Sequence, residues 1–94
     1  MATETVAVEL RTDDETDTIE VPVALVEALQ EGDETAPQVV GDIAVLGLAQ
    51  QAHGMVHHGH GGVSDALADA ESRTMELFEE RFGRSYAEMT GHDH

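Results

Sequence analysis

The densest run of side chains able to do chemistry is His53-Gly54-Met55-Val56-His57-His58-Gly59-His60, four imidazoles within eight residues. On a helix, His53 and His57 stand four apart. Their rings then project from one face about a turn apart, a spacing that suits a shared divalent ion. His58 points to another side, while His60 lies past the helix end and folds back if its flanking glycines turn the chain. Neutral imidazole suits zinc, nickel, copper and iron, and zinc or nickel is the expected ion if the cluster is a site. The same residues also read as solvated surface. His53 and His57 fall on a polar arc, a chain without lysine uses His and Gln for uncharged polar surface, and His92 and His94 occur in the tail. A His-rich tract is a compositional hint, and no Glu follows His53 directly, so the zincin motif is absent.

Glu71 is the second chemical oddity. It falls inside an apolar helical stripe, between Leu67 and the pair Phe78/Phe82, where a carboxylate is costly without a partner. It can serve a metal or meet His57 or His58. The plainer expectation is that it sits at the edge of the stripe and reaches water. Catalysis has thin support: no phosphate-cradling glycine loop, nucleophile elbow or paired nucleophile and base is present. Ser64 and Ser85 are explained as helix caps and Tyr86 as an anchor of a small core.

The elements that must position these groups follow from periodicity. Val6, Val8 and Leu10 alternate with Ala7 and Glu9, and Ile19, Glu20 and Val21 alternate again after an acidic turn at 12–18. Two such runs predict a β-hairpin whose apolar face must cover helices. Pro22 suits a first helical position and Gly32 a stop, giving a short helix over about 22–31. Thr35-Ala36-Pro37-Gln38 has the capping-box form and opens a long helix running to about residue 58. Apolar residues cover most of its circumference, leaving only the arc of Asp42, Gln50, His53 and His57, so it is expected to be central. Gly59–Gly62 breaks that helix. Ser64 caps a third helix ending at Gly83, with Asp65 and Asp69 near its start and Arg81 and Arg84 near its end, as the helix dipole favours. Ser85-Tyr86-Ala87-Glu88 is a second capping box that starts a short last helix, with fraying expected from about 91. The expected fold is α+β: an N-terminal β-hairpin packed on a three-helix core, a short C-terminal helix, one domain over 1–94.

Charge bounds the rest. The chain of 94 residues carries 20 acidic residues against 4 basic ones, all arginine, for a net charge of −16. Exposed charges interact over about 10 Å at 0.1 M salt but only about 3 Å at molar salt. Such a composition therefore folds most comfortably in concentrated salt. A chain this acidic lacks the clustered Arg and Lys that displace counterions from nucleic acid. There is no cysteine, so thiolate metal sites and disulfides are excluded. The N-terminus shows neither the basic nor the apolar region of a signal peptide, and the longest apolar run, Ile43 to Ala49, is too short to span a bilayer. The chain reads as cytoplasmic. With only one Tyr and two Phe, its core rests on aliphatic residues, which favours a homodimer as supplement.

The lysine-free acidic composition resembles that of haloarchaeal proteins. The segments Asp33-Glu34-Thr35-Ala36-Pro37-Gln38-Val39-Val40-Gly41-Asp42-Ile43 and Phe78-Glu79-Glu80-Arg81-Phe82-Gly83 resemble a small haloarchaeal family of unknown function. That likeness implies a salt-adapted cytoplasmic protein and brings no activity, ligand or site residue with it. The leading functional expectation is a non-enzymatic interaction or regulatory module. The alternative is a divalent-metal-binding protein using the His53–His60 cluster, and an enzyme stands third.

Overall fold

The computed structural model of the chain describes residues 3–57 and 64–91. Two strands, β1 (Thr5–Arg11) and β2 (Thr16–Pro22), precede four helices, α1 (Val23–Leu29), α2 (Ala36–His57), α3 (Asp65–Phe82) and α4 (Tyr86–Thr90). The architecture is the expected α+β arrangement of a hairpin followed by helices. It divides into two compact units, 1–41 and 42–94.

In the first unit, β1 and β2 pair antiparallel with Val6 opposite Val21, Val8 opposite Ile19 and Leu10 opposite Asp17. The register puts Val8 on the covered face, where it is buried. The acidic turn is tighter than the composition alone suggests, because β2 already begins at Thr16. Thr12 closes the turn: its N–H donates to the Glu15 carbonyl at 2.8 Å and its hydroxyl accepts from Glu15 N–H at 3.2 Å. Asp17 and Thr18 therefore join the strand, where their exposed side chains remain solvated. Pro22 ends β2 and serves as the N-cap of α1 in extended conformation, one residue earlier than the helical role its ring would also permit. Val23 N–H donates to the Glu4 carbonyl at 2.9 Å, tying the start of α1 to the residue before β1. Val26 and Val39 complete the buried apolar residues of this unit. Gly32 takes a left-handed φ of 59° in the turn to α2, which a residue with a Cβ adopts only at a cost. At the start of α2, Thr35 N–H donates to Gln38 Oε1 at 2.7 Å, the glutamine half of the expected capping box.

The second unit is helical. Ser64 caps α3 by accepting from Leu67 N–H at 3.1 Å, and Gly83 ends it in the left-handed region at φ 73°. The full capping box at Ser85 and Glu88 then starts α4. Phe78 and Ala49 are fully buried, and Phe78 stacks against Phe82 at 4.5 Å and meets Tyr86 edge-on at 5.5 Å. Along the exposed side of α3, Arg73 reaches Glu76 and Glu80 at 3.4 Å each. His58, His60 and the glycines at 59, 61 and 62 lie outside the described residues, as do His92 and His94.

Candidate metal centre

His53 and His57 occupy the last two turns of α2, and Glu71 the second turn of α3. What brings them together is the orientation of α2. Its apolar residues are spread almost evenly round the helix, so no single apolar face dictates which side is buried. The narrow polar arc decides instead. Asp42 accepts from Arg81 Nε at 2.6 Å near the end of α3. His53 packs its ring on Tyr86 of α4 at 5.5 Å between centroids. His57 Nε2 lies 3.6 Å from Glu71 Oε2. One end of α2 meets the end of α3 and the other its beginning, so the two helices run antiparallel along that arc.

His53 departs from the sequence reading of the arc as solvent-facing, while Gln50 and His57 on the same arc stay exposed. His53 is only 8% exposed, whereas Ile43, Leu48 and Met55 on the same helix are well exposed. The physical reason is that a charged pair and two imidazoles with designated partners specify an orientation, which an evenly apolar helix surface does not. Glu71 also departs from the plainer expectation. Its side chain is 14% exposed and faces His57 rather than bulk water.

One donor atom from each of His53, His57 and Glu71 lies within 4.8 Å of the others. The imidazole rings of His53 and His57 stand 4.7 Å apart, tilted by 36°. The 3.6 Å separation of His57 Nε2 and Glu71 Oε2 exceeds the usual 2.7–3.2 Å of a hydrogen bond. It is close to the roughly 3.3 Å that separates two donors bound to one tetrahedral ion at bonds of about 2.0–2.1 Å. Two neutral imidazoles and one carboxylate form a donor set that zinc and nickel accept, and one that holds iron in other proteins. His53 is shielded, while His57, 47% exposed along its side chain, leaves a way in for an ion.

A cleft of about 250 Å³ opens beside these donors, lined further by Met75, Ser85, Tyr86 and Ala87. The sequence reading did not connect these four residues to the histidines. Tyr86 reads locally as a core anchor, and only the left-handed turn at Gly83 that swings α4 back against α2 places its ring on His53. Of the five residues weighed as ligands or carboxylate partners, the structure joins His53, His57 and Glu71, and His58 and His60 fall outside the described residues.

The sequence model of a family of unknown function (DUF7545) matches residues 1–94. The chain belongs to this family. No curated protein and no solved structure matches it significantly. Among the described residues of this family member, no helix is long and apolar enough to cross a membrane.

Proposed function

We propose that this DUF7545 chain is a non-enzymatic, salt-adapted module that binds one divalent transition ion, zinc or nickel, through His53, His57 and Glu71. The convergence of two imidazoles and one carboxylate within 4.8 Å supports the reading most directly. With no cysteine in the chain, histidine is its main donor type for a borderline cation. Nothing in the family match assigns a reaction, and the described residues present no paired nucleophile and base, so binding rather than turnover is the function advanced. A cytoplasmic, high-salt setting is part of the proposal and rests on the charge of −16.

Isothermal titration in molar potassium chloride tests the proposal, the salt suppressing non-specific attraction to the carboxylates. One zinc per chain is expected. His53→Ala should abolish that stoichiometric step, and His92→Ala should leave it intact. Equal losses from the two substitutions would assign the binding to histidine content and not to a site.

A second reading concerns assembly. Leu48, at 64% exposure the most open of the large apolar side chains among the described residues, shares one side of α2 with Met55. Large apolar groups clustered in this way mark interaction surfaces. We propose that a second copy of the chain covers them, giving a homodimer.

A further inference from the structure

The donors of the proposed centre number three, and a cleft lies against them. We infer that an ion held by His53, His57 and Glu71 keeps an exchangeable coordination position turned into that cleft, and that the cleft takes a small monoanion with a short apolar tail, a short-chain monocarboxylate. The inference rests on the metal reading above and deepens it.

Three features of the site lead there. Zinc with three protein donors retains a fourth position for water or an exogenous ligand, the arrangement that separates reactive from purely structural sites. The donors converge on the cleft and line it, so the remaining position faces open space rather than packed side chains. The charge of the site sets the ligand's charge. A dication bound to two neutral imidazoles and one carboxylate leaves one positive charge, which a single anionic donor neutralises. Dianions and phosphates would bring surplus negative charge into a molecule already at −16, so a monoanion is favoured.

The walls set the rest of the ligand. Besides the donors, the cleft is lined by Met75, Tyr86 and Ala87, with the Tyr86 ring beside that of His53. Methionine and aromatic faces offer adaptable apolar contact. The volume of about 250 Å³ is below the roughly 300–1,000 Å³ of sites for drug-sized ligands. A carboxylate with two to four further carbons matches that space, its oxygen on the ion and its tail along Met75 and Tyr86. The Ser85 hydroxyl at the rim already accepts from Glu88 N–H at 3.1 Å. It is therefore engaged in capping α4, which leaves the walls predominantly apolar.

Cobalt(II) makes the position visible, because its d–d absorption reports both the number and the exchange of ligands. The protein is loaded with one equivalent of cobalt in concentrated sodium sulfate, which supports the fold without offering chloride as a competing ligand. Butyrate should shift the bands saturably, while succinate and phosphate should not. Ala87→Phe, at an exposed position, fills the cleft. It should weaken the butyrate response about tenfold or more through lost tail contacts, with cobalt affinity unchanged and circular dichroism confirming the fold. Absence of stoichiometric cobalt binding would overturn the metal reading and this inference together. Stoichiometric binding with no butyrate response, or a parent spectrum altered by the double substitution His58→Ala/His60→Ala, would overturn the open position alone. Equal responses to butyrate and succinate, or an unaffected response in Ala87→Phe, would remove the cleft from ligand selection.

Discussion

Glu71 sets both the charge and the selectivity of the proposed centre. Its side chain is mostly shielded and faces His57 at 3.6 Å, so replacing it with Gln keeps the shape and removes the anionic donor. Zinc affinity should fall by more than the roughly 10–100-fold typical of losing an outer-shell partner, while melting without metal changes little. Binding should also weaken as pH drops below neutral, because protons compete with the ion for the imidazoles. Titration calorimetry of Glu71→Gln and of the parent at two pH values checks both. An affinity independent of pH would place the ion on carboxylates alone. The possible pairing of Glu71 with His57 was legible in the sequence, from a carboxylate set in an apolar stripe and an i,i+4 histidine pair. Its geometry was not, since nothing local to residue 71 states which helix it meets.

At the scale of the elements, turns and caps were the most legible parts, because each is written in a few adjacent residues. The hairpin, the serine caps at 64 and 85 and the stop at Gly83 occur where the residue types require them. The facing of α2 was the least legible, since an evenly apolar helix carries no dominant stripe and one residue of its polar arc, His53, turned inward. Gly83 is where local and long-range order meet. Its φ of 73° is a conformation that residues with a Cβ pay about 1–2 kcal/mol to enter, and it carries α4 and Tyr86 to the site. Gly83→Ala should destabilise the protein by about 1 kcal/mol and loosen α4 from His53. Tyr86 is the sole tyrosine and there is no tryptophan, so intrinsic fluorescence reads this one contact. Nickel added to the parent should quench it, and Gly83→Ala should reduce that quenching. Unchanged quenching would detach the turn from the site. Glu88 adds a pH dependence here. The Ser85 N–H, then the Ser85 hydroxyl, hold its carboxyl below the ordinary glutamate range. Such a group stabilises the fold above its unfolded value and loses that contribution as pH falls through the lowered one, so α4 should fray on acidification.

For the whole molecule, charge outweighs every pairwise contact. The described ion pairs are few and mostly exposed, and such pairs contribute about 0–1 kcal/mol each. Self-repulsion from a net charge of −16 acts on all surfaces at once and is relieved only by screening. Melting temperature should therefore rise steeply between dilute and molar potassium chloride, measured by circular dichroism. Equal values at both extremes would contradict the salt-adapted reading. In molar salt, sedimentation should show a dimer that Leu48→Glu dissociates, since the substitution puts a charge at the centre of the exposed face of α2. A parent protein monomeric at tens of micromolar would assign that face to solvent. The net charge itself is legible from the sequence, because charge sums over residues without regard to fold. The partner of the exposed face is not legible in that way, since a homodimer surface and an open one share the same residue types.

Anomalous scattering at the zinc edge, from crystals of the zinc-loaded protein grown in high salt, tests the central claim most directly. The account predicts one strong peak per chain within about 2.0–2.2 Å of an imidazole nitrogen of His53, one of His57 and a carboxylate oxygen of Glu71. A peak placed instead on His92, His94 or surface carboxylates, with those three side chains unligated, would contradict it.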